Sequence, residues 1–290
     1  MTSYHRQFIE HHPIIGHLYV PDLTIRLTHE NGGYWLKTNH QGFRNDSDYV
    51  VKKPKNKKRI AVFGDSFTAG DGVTNSQRYT DVIRQQLPNT EVLNFGLTHS
   101  GTDQQFLIFS EIARSYDPDL VIISPMVENI RRNLRKTLTN KTHDGRVFSR
   151  EKPYYELVDE RIVLRNVPVP CPRLADEYLP GSVSRLTKLR VKISALKQSL
   201  EMVVTNFGIR RRRELYPEYC DDTNPAWELL RTILCRWREE VGCPIVLAPI
   251  PWYLHYTNPA TYPSNAYRSR FLELNSSEFV FFDCMPSFLK

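Results

Sequence analysis

No apolar run in this 290-residue chain approaches the ~20 residues that a bilayer-spanning helix needs. The first residues, MTSYHRQFIEHH, have no apolar stretch of the kind a secretory leader carries, so the sequence reads as cytoplasmic, from a native start at Met1. Cysteine is scarce. Cys171, Cys220, Cys235, Cys243 and Cys284 are odd in number and irregular in spacing, with no C-x-x-C. That excludes the spacing of a structural zinc site or a redox pair and favours reduced thiols; neither a metal nor a cofactor is expected. Internal repeats and low-complexity tracts are missing too. Acidic residues fall short of basic ones, and the net charge is +7. The excess gathers in Lys52–Arg59 (KKPKNKKR) and Arg210–Arg213 (RRRR), which read as solvated connections. No aromatic-rich single-strand pattern accompanies them, so no nucleic-acid partner is expected.

What is present is enough apolar sequence for one large domain, or for a core domain with a sizeable insertion. Residues 1–50 read as short strands and turns, with Leu23–Leu27 and Tyr34–Leu36 flanking the turn at Asn31-Gly32-Gly33. After the basic linker the pattern changes. Ile60-Ala61-Val62-Phe63 is a continuous apolar run, as expected of a strand buried on both faces of a parallel sheet. Further strands are expected at Glu91–Phe95, Leu120–Ser124, Pro244–Ala248 and Glu278–Asp283. Helices are expected at Tyr79–Leu87, Asp103–Ser115 and Ala226–Glu240. The alternation predicts an α/β fold with a doubly wound, mainly parallel sheet.

Residues 135–225 break this pattern and read as an insertion or cap. They contain a turn at Asp144-Gly145, a hairpin from Tyr154–Val158 and Arg161–Val167, and a helix near Ser184–Val204. Leu186, Leu189, Ile193, Leu196 and Leu200 give that helix one apolar face, for burial on the core or for a partner. The expected organisation is therefore N-terminal strands and linker over 1–58, core over 59–134 and 226–290, and insertion over 135–225.

The chemistry centres on Gly64-Asp65-Ser66-Phe67-Thr68, directly after the apolar strand. A serine hydroxyl is a weak nucleophile until a base takes its proton, and an acyl-transfer site must also present hydrogen-bond donors to the oxyanion. A strand that stops abruptly in a small-residue turn exposes both the side chain and the backbone N–H groups. As a bare triplet, G-D-S is equally a turn in which Ser or Asp caps a helix. With its surroundings, the chain resembles the SGNH/GDSL hydrolase superfamily. Gly64-Asp65-Ser66 resembles the first block, and Thr38-Asn39-His40-Gln41-Gly42-Phe43-Arg44 is similar to the lead-in of bacterial members. Val92-Leu93-Asn94-Phe95-Gly96 with Ser100-Gly101-Thr102-Asp103-Gln104 is similar to the second block. Leu120–Ile123 with Glu128-Asn129-Ile130-Arg131 stands where the third belongs.

The resemblance implies a flavodoxin-like SGNH fold and cleavage of acyl esters, acetyl-type, without metal. It also implies Ser66 as nucleophile, and oxyanion donors from the Ser66 N–H, a second-block N–H at His99 and the Asn129 side chain. Asp65, Gly96, Gly101, Glu128 and His255 complete the expected pocket.

Three departures qualify this. His99 stands where the family has glycine, either bringing an imidazole to the pocket or lying in a surface loop. Glu128-Asn129 replaces N-D, so Asn129 supplies the amide one position late, or Glu128 takes its place, or Glu128 simply pairs with Arg131 or Arg132. No Asp-x-x-His follows the last expected strand; truncation is the expected reason, with His255 as a substitute base the lesser one. The readings that follow are a serine esterase acting on a small-molecule or glycan ester, an O-acyltransferase, or a non-catalytic module that binds a glycan or acyl ligand. In the last, the loop aromatics Trp252, Tyr253, Tyr256, Tyr262 and Tyr267 either stack on sugars or pack the loop down. The oligomeric state is not legible.

Overall fold

The computed structural model describes residues 8–29, 32–141, 147–171, 214–260 and 262–289. Two antiparallel hairpins come first, β1 (Ile9–His12) with β2 (Gly16–Tyr19) and β3 (Thr24–Leu27) with β4 (Tyr34–Lys37). The core then alternates strand and helix: β5 (Lys58–Gly64), α1 (Ser66–Ala69), α2 (Tyr79–Gln86), β6 (Thr90–Asn94), α3 (Thr102–Glu111), β7 (Leu120–Ser124) and α4 (Asn129–Arg132). Two further hairpins follow, β8 (Thr137–Lys141) with β9 (Val147–Glu151) and β10 (Tyr154–Val158) with β11 (Arg161–Arg165). The core closes with α5 (Pro225–Glu240), β12 (Ile245–Leu247), α6 (Tyr253–Thr257), α7 (Asn265–Leu272), β13 (Phe279–Phe281) and α8 (Met285–Phe288).

Five strands make one parallel sheet in the order β13-β12-β7-β5-β6. The chain starts at β5, steps out to β6, crosses back to β7 and continues to the far edge. That is the doubly wound α/β order of flavodoxin-like sheets, in which the crevice lies beyond the carboxyl ends of the strands. Ser66 sits at that end of β5. Register fixes which residues share a face: Val62, Ile122, Val246 and Val280 stand in one row, and Phe63 and Ile123 face the opposite way. No helix among the described residues is long and apolar enough to cross a membrane.

The leading hairpins are part of this core. Ile15, Tyr19, Leu36 and Phe43 belong to the same buried cluster as Phe63, Phe95 and Trp237. Three buried arginines tie the N-terminal segment to the sheet. Arg44 donates to Gly70 O at 2.6 Å, Val73 O at 2.8 Å and Asn75 Oδ1. Arg78 reaches Asp81 and the carbonyl of Arg44. Arg59 binds Glu91 and the carbonyls of Val50, Val51 and Tyr116. Arg59 therefore departs from the expected solvated run: Lys52, Lys55, Lys57 and Lys58 are exposed, but Arg59 is fully buried because four partners replace its water.

Most expected elements recur within a residue or two of their bounds. The stretch expected as a helix over Asp103–Ser115 is α3 followed by a separate 3₁₀ turn at Ala113–Tyr116. The Pro-rich loop 249–263 holds α6, and α7 follows it. The turn at Asp144-Gly145, the helix near 184–204 and the Arg210–Arg213 run lie outside the described residues.

Candidate active site

The serine turn is built by close contact between neighbouring segments. Asp65 caps α1, its Oδ1 accepting the Phe67 N–H at 3.0 Å, and α1 stops after one turn at Gly70 in the left-handed conformation. Ser66 thus stands at the mouth of β5, half-buried. Gly96 passes so near α1 that an added Cβ would stand against the backbone N of Ala69. Asn94 fastens the same contact: its Nδ2 donates to Thr68 O at 2.7 Å and its Oδ1 accepts the Gly96 N–H at 2.8 Å. The Leu97 N–H donates to Gly64 O at 3.0 Å. The first and second blocks of the sequence are therefore one structural unit.

His99 has φ +62°. Glycine takes that left-handed conformation without strain, whereas a residue with a Cβ holds it at an expense of order 1–3 kcal/mol. His99 is half-buried, and its Nδ1 is buried with no hydrogen-bond partner among the described residues. Burial, together with the nearby Arg132 and Arg150 cations, holds its pKa down to about 4, so the ring is neutral at pH 7. His17, fully buried alongside, donates its Nε2–H to Thr98 O at 2.8 Å and supports the same loop.

The third block is the start of α4. Asn129 is fully buried, and neither its Nδ2 nor its Oδ1 has a partner among the described residues. Most buried amides are satisfied, so an orphaned one on the helix that reaches the serine turn is notable. Glu128 is paired as the simplest sequence reading held, with Arg132 at 3.0 Å; Arg131 turns outward to Glu218. Arg132 also donates to Ser100 O at 3.0 Å and approaches Asp65 Oδ2 at 3.4 Å. One guanidinium thus touches all three blocks. Asp65 is fully buried, and desolvation outweighs Arg132 in pushing its pKa up to about 6. Gly101 lies tight against Asp103 and Asn133. Asp103 in turn forms a fully buried ion pair with Lys152, which sets the start of α3 against the segment after β9.

His255 is placed elsewhere. It is buried between the rings of Tyr216 and Tyr267, with centroids at 6.1 and 5.2 Å, and its Nδ1 accepts the Trp252 N–H. Burial lowers its pKa to about 4. No hydrogen bond joins it to Ser66 or to a carboxylate among the described residues. The loop aromatics divide: Tyr267 is in the core against Tyr219 and Phe271, Tyr256 stacks on Phe288, and Tyr253 is exposed.

Sequence reasoning missed Asn94 and Lys152, and it saw Arg132 only as a partner for Glu128. Asn94 lay inside the quoted second block, but nothing local marked it. The contacts of Arg132 with Asp65 and Ser100, and of Lys152 with Asp103, join positions distant in sequence, which no spacing rule reveals.

No family model and no curated protein matches the chain. Among solved structures, it is similar to AlinE4, described as an SGNH-hydrolase family esterase, at 13% identity and a TM-score of 0.36, over 77% of this chain and 72% of that one. It is also similar to TesA, at 11% identity and a TM-score of 0.36, over 75% and 72%. A likeness of this degree carries no argument about chemistry, and the case rests on the residues themselves.

Proposed function

We propose that the chain carries the nucleophile and oxyanion site of a serine hydrolase acting on acyl esters. Ser66 attacks the ester carbonyl, its Oγ–C bond forming as the carbonyl π-bond opens; the carbonyl then re-forms as the C–O bond to the alcohol breaks, and the proton given up by the serine hydroxyl leaves on that alcohol, giving an acyl-serine. The negative charge that develops on the carbonyl oxygen is met by the Ser66 N–H, the His99 N–H and the Asn129 side-chain amide; the Ser100 and Gly101 N–H groups are already given to Leu97 O and Gln104 Oε1. Water then releases the acid. The observation that carries this reading is the fully buried Asn129 amide, which has no hydrogen-bond partner among the described residues and lies on the helix whose Arg132 reaches Asp65 of the serine turn at 3.4 Å. Such a donor, prepaid in desolvation and oriented by the fold, is the usual source of oxyanion stabilisation.

A second reading, a module that binds an acyl or glycan ligand without turning it over, is favoured by one observation. No imidazole among the described residues is hydrogen-bonded to Ser66. His99, at about 4, is neutral but a weak proton acceptor at pH 7. Loss of the base leaves only the residual catalysis of the oxyanion site.

The test is labelling with a fluorophosphonate probe, which needs an activated serine, read by mass spectrometry of the modified peptide. The hydrolase reading expects one adduct, on Ser66, and none in Ser66→Ala. A wild-type chain that stays unlabelled, yet binds an acyl ligand equally well with and without Ser66, sinks the hydrolase and leaves the module.

A further inference from the structure

Taking Ser66 as the nucleophile proposed above, we infer that Arg132 is the positioning residue of this site: its guanidinium locks the serine turn, the 96–101 loop and the head of α4 together, and holds the Glu128 carboxylate off the oxyanion position. Three contacts from three separate segments carry it. Nη1 reaches Asp65 Oδ2 at 3.4 Å and donates to Ser100 O at 3.0 Å, and Nη2 donates to Glu128 Oε1 at 3.0 Å. The side chain is 13% exposed, so little water competes for these donors. A planar guanidinium can serve three acceptors in fixed directions, which a lysine ammonium on a flexible stem does less well.

Glu128 makes this necessary. It precedes Asn129, whose amide has no partner among the described residues, and a free carboxylate there would repel an oxyanion. Arg132 stands one helical turn on, at i+4, and draws that carboxylate to itself. Arg131 cannot substitute, because it is engaged by Glu218 and Leu215 O and lies over the Tyr216 ring at 5.0 Å. The clamp also sets the charge of the turn. Among the described residues, the charged and titratable groups acting on Asp65 are Arg132 of α4 and Glu128 at its N-cap, Asp71 from the loop after α1, and Tyr79 from α2; of these Arg132 is the cation. Arg132 favours the ionised carboxylate against burial, so its removal must raise the Asp65 pKa further.

The experiment follows Asp65 directly. The carboxyl carbon is titrated by NMR in the full chain for wild type, Arg132→Ala and Arg132→Lys, and the rate of fluorophosphonate labelling is measured across the same pH range. In wild type the Asp65 midpoint is expected near 6. In Arg132→Ala it moves up by about one pH unit or more. The labelling rate at pH 7 falls about 10- to 100-fold, as misplacement at a reacting centre does, and its acid limb follows the Asp65 midpoint. Arg132→Lys keeps the charge, so it returns the midpoint toward wild type while recovering only part of the rate. Adding Glu128→Gln to Arg132→Ala regains rate by neutralising the released carboxylate.

An unmoved midpoint in folded Arg132→Ala, or a labelling rate within about twofold of wild type, overturns the proposal. If Arg132→Ala does not fold, Arg132→Lys carries the test, and a full wild-type rate there overturns the fork. A wild-type chain that takes no label removes the nucleophile reading, while the NMR titration still decides whether Arg132 governs the turn.

Discussion

The two faces of the central sheet are both apolar, but they are finished differently. On one, Phe63, Val121, Ile123, Ile245, Leu247 and Phe279 are all buried, under α3 and α5. Trp237 of α5 packs its ring against Phe63, Phe106 and Phe109 with centroids at 5.1, 5.5 and 5.8 Å. On the other, burial fades strand by strand. Val62 is fully buried beside Tyr79 and Ile83 of α2, Ile122 and Val246 are half-buried, and Val280 and Phe282 are 42% and 55% exposed. Val62, Ile122, Val246 and Val280, β-branched residues in one row of one sheet, thus range from core to surface. What decides their burial is the element opposite, not the side chain itself, and stability should follow the same gradient.

The largest effect belongs to the first face. Trp237→Ala removes a fully buried indole from the centre of an aromatic cluster and leaves a cavity that three neighbouring rings cannot collapse into. A loss of about 3–5 kcal/mol is expected, measured by urea unfolding with the slope checked for constancy. A loss under about 1 kcal/mol would break the comparison at its firm end.

This gradient also explains what could be read in the sequence. Ile60–Phe63 was legible because a parallel strand carries apolar residues on both faces, and the run says so without any knowledge of its neighbours. The same reasoning predicts equal burial for Val280, where it fails, since the sequence of β13 carries no mark of what faces it. Trp227, Leu230, Ile233, Leu234 and Trp237 made α5 legible through spacing. In contrast, α7 (NAYRSRFL) buries only Tyr267 and Phe271, too faint a stripe to recognise. The β1–β2 hairpin was hidden because its strands, IEHH and GHLY, do not alternate, and one of its buried residues is His17, admitted by its bond to Thr98 O. In the candidate site, Ser66 and Asn129 were legible as residues. The environment that matters, an arginine joining positions 65, 100 and 128, exists only after folding.

An intermediate effect is expected where α2 covers the second face. Ile60 is 7% exposed and touches the small cluster with Val92 and Ile83. Ile60→Val should lose about 0.5–1.5 kcal/mol, a fraction of the Trp237 value. A loss equal to that of Trp237→Ala would mean the second face is packed as firmly as the first.

The smallest effect is expected at the far edge of that face, and it sharpens the comparison most. Val280 contributes little burial where it stands, so Val280→Thr should change stability by no more than about 0.5 kcal/mol. Phe282→Ser should leave the unfolding midpoint equally unmoved but weaken binding of a dye such as ANS, because an exposed aromatic on an apolar strand edge is one of the dye's contacts. The two readouts separate because exposure lowers the stability term while raising the affinity for apolar solutes. A Val280→Thr loss above about 1 kcal/mol, with dye binding unchanged in Phe282→Ser, would mean that this edge is covered in solution. The fading of burial across the row would then belong to the isolated chain rather than to the protein at work.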